Sequence, residues 1–177
     1  MSGKAGKYAR FEFERRFLVE HLPERLVPDS GWRITDRYTI DTRLRLRRMQ
    51  PLAGGESVFK LGQKESPAAP DFSRMTITNI YLSAAEYEVF AVLPARELQK
   101  RRCHLEQDGR VYSLNVFDGQ LAGLILAGLD FETDDELREY RQLPDWALQD
   151  VSDDERFTGG ALASLTADDA ATLLAQI

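Results

Sequence analysis

Residues 11–17 read Phe-Glu-Phe-Glu-Arg-Arg-Phe, and this stretch decides the fold of the chain. Successive side chains of a β-strand point to opposite faces, so Glu12, Glu14 and Arg16 share one face while the phenylalanines share the other. The same spacing recurs in two later segments, at Arg43, Arg45 and Arg47 and at Lys60 and Lys64. The pattern predicts a sheet with one apolar face and one densely charged, mainly basic face, which is typical of a polyanion site.

The composition is that of a single soluble globular domain. The chain has 177 residues, of which 43% are hydrophobic and 29% are charged, enough for one substantial core. No apolar run approaches the roughly 20 residues that span a bilayer, and the first residues lack the apolar stretch of a secretory signal. We therefore expect a cytoplasmic protein with no membrane partner. The net charge of −6 argues against a general nucleic-acid-binding protein.

Eight segments have the pattern of strands, at 10–20, 32–40, 43–50, 56–64, 73–82, 98–106, 110–118 and 124–132. Short connections such as residues 40–42 and 107–109 predict antiparallel hairpins, and such a meander must close or cover its edges. Residues 66–70 are predicted to form a loop. Ser83 is predicted to cap a helix that runs to about residue 92, and Thr166 to cap a last helix over 168–177. The fold class is therefore predicted as α+β.

The sequence lacks the residues that several common kinds of site need. Cys103 is the single cysteine, so there is no internal disulfide, and with only His21 and His104 beside it there is no zinc-ligand spacing. We predict Cys103 to be a small strand residue. No Ser-His-Asp order or phosphate-binding glycine loop is present. The pairs Gly54-Gly55 and Gly159-Gly160 are predicted turns, and the acidic stretches 132–139 and 150–155 are predicted solvated faces.

The stretch Glu12-Phe13-Glu14-Arg15-Arg16 resembles the Glu-x-Glu-x-Lys motif that opens CYTH domains, the triphosphate tunnel metalloenzymes, with Arg16 in the place of the usual lysine. Further resemblances follow in the order of that family. They are Tyr38, Arg45-Leu46-Arg47, the lysine strand at 58–64, Ser73-Arg74, Lys100-Arg101-Arg102, the turn at 116–124, Asp150-Val151-Ser152 and the segment 156–160. The chain is therefore similar to this family over residues 8–164, one domain, with a C-terminal helix over 165–177 packed on it.

The resemblance implies an eight-stranded antiparallel β-barrel with peripheral helices, whose lumen is an open tunnel. Basic side chains in the tunnel would hold a triphosphate, and acidic ones would bind Mg²⁺ or Mn²⁺. By motif position the catalytic residues are Glu12, Glu14 and Arg16, and the metal ligands are Glu12 and Glu14 joined by Asp130 or Glu132. The phosphate-binding residues are Arg43, Arg45, Arg47, Lys60, Lys64, Arg74, Lys100 and Arg102. Whether Lys60 or Lys64 faces the ligand, and whether Arg43 is only exposed, stay open.

The sequence departs from the family where that family often has acids inside the tunnel, at Thr76, Thr78, Ser113, Asn115 and Gly128. Hydroxyl and amide oxygens bind divalent ions more weakly than carboxylates do, and they are not general bases at neutral pH. The predicted cation and phosphate sites survive better than the second acidic cluster, so we favour a divalent-metal-dependent hydrolase of inorganic or nucleoside triphosphate. The alternative is a protein that captures polyphosphate, a nucleotide or another polyanion without turnover. A third possibility is that the charges pair with one another inside a sheet and no ligand binds.

Adenylate cyclisation also occurs in this family, but nothing in the sequence positions a purine. Four aromatic residues lie at strand spacing and are predicted to belong to the core or the rim, namely Trp32, Tyr38, Phe59 and Tyr81. The sequence carries no signal for the oligomeric state or for a partner protein.

Overall fold

The computed structural model describes residues 7–24, 26, 30–66 and 71–177. The strands within these ranges are β1 (Arg10–Val19), β2 (Trp32–Thr39), β3 (Leu44–Pro51), β4 (Val58–Glu65), β5 (Arg74–Leu82), β6 (Ala95–Gln107), β7 (Arg110–Phe117), β8 (Ile125–Phe131) and β9 (Ala147–Asp150). The helices are α1 (Ala84–Ala91), α2 (Asp134–Glu139), α3 (Gly159–Ser164) and α4 (Ala167–Leu174), with short 3₁₀ turns at Gly119–Leu121 and Glu155–Phe157.

Strands β1 to β8 form a closed antiparallel barrel in the order β1-β5-β4-β3-β2-β6-β7-β8. The barrel closes because β1 pairs with β5 through residues 10–13 and with β8 through residues 13–19. The predicted eight-stranded antiparallel barrel with peripheral helices is confirmed. Strand β9, which the sequence did not predict, pairs with residues 17–19 of β1 beyond the end of β5. Four residues are too few to show an alternating pattern.

The predicted hairpins are confirmed at the tight connections. Gln107 pairs with Arg110, and the two residues between them have positive φ, 52° at Asp108 and 72° at Gly109. This Asp-Gly pair forms the kind of two-residue turn that matches the twist of adjacent strands. The predicted loop at 66–70 lies mostly on residues 67–70, outside the described residues.

The predicted helices α1 and α4 are present, each with a capping box, at Ser83 with Glu86 and at Thr166 with Asp169. Helix α2 corrects the prediction of a merely solvated stretch at 132–139, because Leu137 is fully buried. None of the helices in the described part of the chain is long and apolar enough to cross a membrane.

The pair Gly159-Gly160 begins α3 instead of forming the predicted turn, and Thr158 caps that helix. A Cβ atom on Gly159 would collide with the Tyr38 hydroxyl. Glycine is therefore required where the start of α3 approaches the barrel.

The outer face of the barrel carries one hydrophobic core. Phe17, Leu114 and Leu129 project outward from β1, β7 and β8, and Leu137 and Tyr140 cover them. Cys103 is buried in β6, as predicted. Because side chains alternate, the outward position of Phe17 places Glu12, Glu14 and Arg16 on the inner face of β1.

A second hydrophobic core fills one end of the barrel. Leu18, Leu98 and Leu126 lie on the inner face at this end and pack with Leu162 of α3 and Leu173 of α4. All five side chains are at most 5% exposed. The open tunnel that the resemblance implies is not confirmed at this end, because the C-terminal helices bury their apolar faces there. The charged part of the interior opens toward the end that carries the β6–β7 hairpin.

We predict that Leu162→Ala lowers the free energy of unfolding by about 2–5 kcal/mol, because it leaves a cavity where α3 joins the barrel. Urea unfolding monitored by circular dichroism measures the change. Val89→Ala, on the exposed side of α1, is the control and is expected to change it by no more than about 0.5 kcal/mol. Equal effects of the two substitutions would contradict the assignment of this core.

Candidate functional site

The charged side chains that share one strand face in the sequence line the inside of the barrel. Lys64 on β4 forms an ion pair with Glu12 on β1, although β5 lies between these two strands. An ion pair between strands that are not neighbours must cross the interior of a closed barrel. We call the following set the inner cluster: Arg16, Arg45, Arg47, Lys60, Lys64, Lys100 and Arg102, with Glu12, Glu14, Asp36 and Asp130. It has three more cations than carboxylates.

Three carboxylates of the inner cluster lie toward its open end. Glu14 on β1 stands directly opposite Asp130 on β8, and Glu12 is the next inward residue of β1. Water reaches the side chain of Asp130, but surrounding protein and repulsion from Glu14 and Glu12 raise its pKa to about 6. The mutual repulsion means that a cation placed among these acids would be bound favourably.

The cations around Glu14 compensate the negative charge of its carboxylate. Arg16 Nη2 donates to Glu14 Oε2 at 3.0 Å. Burial would raise the pKa of Glu14, but Arg16, Lys64 and Arg102 outweigh burial and lower the pKa to about 2. Glu14 is therefore ionised throughout the physiological range and available as an anionic ligand.

Asp36 on β2 organises the deeper part of the inner cluster, and sequence reasoning missed it. Its carboxylate is fully buried and accepts two hydrogen bonds from Arg47, from Nε at 2.5 Å and from Nη2 at 2.7 Å. Arg45 Nε and Lys100 Nζ lie 3.8 Å and 3.7 Å from its oxygens. Burial would raise the pKa of Asp36, but Arg47 and Arg45 hold it far below its usual range.

The signal that could have found Asp36 is weak. It stands two residues from Tyr38 and therefore on the same strand face, but its neighbour Arg37 is equally charged and lies on the other face. Only the register of β2 with β3, which places Asp36 opposite Arg47, distinguishes the two positions.

The remaining cations approach the acids from other strands. Arg102 Nε donates to Asn115 Oδ1 at 2.9 Å, and Arg102 and Glu14 are close enough to influence each other's pKa. Lys60 Nζ lies 4.8 Å from the centre of the Tyr81 ring. Both lysines that the sequence left open, Lys60 and Lys64, thus lie on the inner face.

Two buried guanidinium nitrogens in the inner cluster, Arg16 Nη1 and Arg45 Nε, have no hydrogen-bond partner among the residues that the structure describes. A buried donor without a partner is costly. The oxygen atoms of a bound anion would give each nitrogen an acceptor, which is the chemistry expected of a phosphate-binding site.

Three predicted site residues do not join the inner cluster. Arg74 stands opposite Phe13, which puts it on the outer face, where it pairs with Asp71 and Asp134. Arg43 lies at the rim, with 54% of its side chain exposed, and pairs with Glu65. Glu132 follows the end of β8, is exposed, and meets the first turn of α2.

The register also corrects the reading of the replaced acids. Thr76 and Thr78 lie on the outer face of β5, because Thr76 stands opposite Phe11 and its hydroxyl donates to the Glu65 carbonyl at 3.1 Å. The inward residues of β5 are instead the neutral Met75, Ile77 and Asn79. The other three departures, Ser113, Asn115 and Gly128, do lie on the inner face.

The acids fit a divalent cation only in part. No group of three or more His, Cys, Asp or Glu residues in the described part of the chain has the arrangement of a metal site. Glu14 and Asp130 supply two carboxylates on facing positions. Mg²⁺ usually takes one or two carboxylates, several waters and the phosphates of its substrate, so this pair suits an ion that arrives with a phosphorylated ligand.

Gly128 gives these acids room. It stands opposite Arg16 on the inner face, and a Cβ atom at this position would collide with Glu14 Oε1. A larger residue at 128 would displace the Glu14 carboxylate.

The chain is similar to an inorganic triphosphatase of Nitrosomonas europaea. The two sequences are 27% identical over 158 residues, which span 86% of this chain and 96% of that protein. No family model matches the chain.

Solved structures share the barrel. The crystal structure of an inorganic triphosphatase superposes with a TM-score of 0.58 and 25% identity, over 88% of this chain and 95% of the other. A Bacillus halodurans protein, described only as a candidate adenylate cyclase, superposes with a TM-score of 0.52 and 16% identity, over 74% and 86% of the two chains. The second likeness concerns the fold alone.

We predict that Asp130→Asn stabilises the metal-free protein at pH 7.5 by about 1 kcal/mol, a figure reduced for the exposure of Asp130 to water. The pKa of this acid is raised on folding from 3.8 to about 6, so the folded state loses stability as pH rises across that interval. The difference between variant and wild type should vanish near pH 4.

Urea unfolding at the two pH values, with chelator present, measures this difference. Asp145→Asn, an exposed acid outside the barrel, is the control. An unchanged difference at both pH values would show that repulsion among the inner acids is not its cause.

Proposed function

We propose that the protein hydrolyses a phosphoanhydride bond of inorganic triphosphate or a nucleoside triphosphate inside the barrel, with Mg²⁺ or Mn²⁺ as cofactor. We further propose that the chain is a divergent CYTH domain, a triphosphate tunnel metalloenzyme. The observation that carries the proposal is the inner cluster, with its excess of cations and the unpartnered donors of Arg16 and Arg45. The similarity to an inorganic triphosphatase along nearly its whole length supports it.

Hydrolysis of a triphosphate needs positioning and charge stabilisation more than covalent chemistry. The phosphate oxygens must be held, one water aligned, and the charge on the leaving phosphate neutralised. Arg16, Arg45, Arg47 and Arg102 offer planar donor sets that match phosphate oxygens, and the inner lysines add mobile point charges. The filled end of the barrel stops the ligand, so its reacting phosphate stays near the acids at the open end.

Glu14 and Asp130 would hold the cation, and Glu12 would join them when Lys64 turns toward a phosphate. When bound, a divalent ion screens phosphate charge and makes a coordinated water more acidic. Arg16 Nη2 donates to the Glu14 carboxylate at 3.0 Å, at the strand position opposite Asp130. The role of Arg16 is therefore to fix a ligand carboxylate and to donate its free nitrogen to a phosphate.

Binding of a polyanion without turnover is the second candidate. It is favoured by the pairing of Glu12 with Lys64 and of Glu14 with Arg16, and by the neutral inward residues Met75 and Ile77 on β5. A site with this charge balance would bind polyphosphate or a nucleotide whether or not hydrolysis follows.

We predict that Glu14→Gln abolishes metal-dependent release of phosphate from inorganic triphosphate, with a loss of at least about 100-fold, since a ligand carboxylate is removed. Triphosphate binding without metal should change by less than about threefold, because the cations remain. Phosphate release with Mg²⁺, Mn²⁺ or chelator, and calorimetric titration, measure the two effects.

Glu88→Gln, an exposed acid on α1, is the matched control and also tests for contaminating phosphatase. Wild-type binding without any release would favour the second candidate. Release that persists in the Glu14 variant at the wild-type rate would contradict the proposed site.

We predict that Arg45→Ala weakens triphosphate binding about tenfold or more, because a charge-assisted hydrogen bond contributes roughly 1.5–3 kcal/mol. Arg48→Ala is the matched control, because Arg48 lies on the same strand, is exposed and faces outward. Calorimetric titration of both variants measures the effect. Equal affinities in the two variants would contradict ligand binding inside the barrel.

A further inference from the structure

Asp36 has no direct task in the proposed function, since it is an anion among the groups that would bind an anion. It is nevertheless fully buried, and three cations of the inner cluster surround it. A carboxylate at this place repels a phosphate, so its presence in the site needs another explanation. Its contacts with the three cations supply one.

Asp36 holds the side edge of the Arg47 guanidinium. Both bonds come from this edge, at Nε and Nη2. Arg47 Nη1, on the end edge of the guanidinium, takes no part in them. A guanidinium has five N–H donors in a rigid fork, so a carboxylate on the side edge fixes the direction in which the end edge points.

Asp36 also offsets the repulsion among the other two cations. Arg45 and Lys100 reach it from β3 and β6 at 3.8 Å and 3.7 Å. Lys100 is only 7% exposed, and burial lowers its pKa well below the usual value while Asp36 acts to raise it. The other groups that face Lys100 are Arg45, Arg47, Arg102 and the Phe117 ring, whose centre lies 5.4 Å away.

We infer that Asp36 is a positioning residue, which gathers Arg45, Arg47 and Lys100 into one group that presents its free donors to a phosphate. The inference rests on the proposed function, and it assigns these three cations a prearranged geometry in the empty barrel. Preorganisation of this kind reduces what binding costs. The opposite role, a built-in anion that competes with the ligand, makes the opposite prediction.

The test is calorimetric binding of inorganic triphosphate, with chelator present, to wild type and Asp36→Asn at pH 6.5, 7.5 and 8.5. The ratio of the two dissociation constants cancels the titration of triphosphate itself. We expect the variant to bind about tenfold more weakly at pH 8.5 and the ratio to shrink toward pH 6.5. The shrinkage follows because Asp36 raises the pKa of Lys100, so the variant loses the Lys100 proton at a lower pH than wild type does.

A ratio that does not change with pH, or tighter binding by the variant, would overturn the inference. Tighter binding would make Asp36 a competitor of the ligand. Asp145→Asn is the control for a lost surface charge. If wild type itself fails to bind triphosphate, the proposed function fails and the inference with it. If wild type binds and the variant gives one of the contrary results above, only the inference fails.

Asp36→Asn leaves buried cations uncompensated and could prevent folding. The double variant Asp36→Asn/Lys100→Met removes one charge of each sign. At pH 8.5 we expect it to bind triphosphate about tenfold more weakly than wild type. Wild-type affinity of the double variant at pH 8.5 would contradict the role given to Asp36 and Lys100.

Discussion

The structure depends on the neutralisation of like charges that a closed barrel forces together. Seven cations point into one interior, and burial of like charges is costly without counter-charge. Asp36 neutralises Arg47, to which it is hydrogen-bonded, and Glu12 and Glu14 neutralise Lys64 and Arg16. The pairing is incomplete, because the cations of the inner cluster outnumber its carboxylates by three. That excess is what keeps the interior receptive to an anion.

The interior changes character along the barrel. Asp130, Glu12 and Glu14 lie toward the open end, and Leu18, Leu98 and Leu126 fill the far end with the help of α3 and α4. In the proposed function, a polyanion entering the barrel would meet the inner cations and stop at this apolar wall. Its outer phosphate would then lie beside the carboxylates that we propose to hold a divalent cation.

Period-two spacing in the sequence predicts much of this arrangement, since it places Glu12, Glu14 and Arg16 on one face without knowledge of the fold. Which strands pair, and in which register, depends on contacts far apart in sequence. That is why Arg74 was predicted inside but lies outside opposite Phe13, and why Thr76 and Thr78 were read as inward positions. Asp36 was not predicted as a site residue for the same reason, because its role depends on its pairing with Arg47 on the next strand.

A crystal structure grown with inorganic triphosphate tests most directly whether the inner cluster binds this ligand. We expect phosphate oxygens within about 3 Å of Arg16 and Arg45 nitrogens, inside the barrel. Triphosphate bound only on the outer face, with the inner ion pairs unchanged, would contradict it.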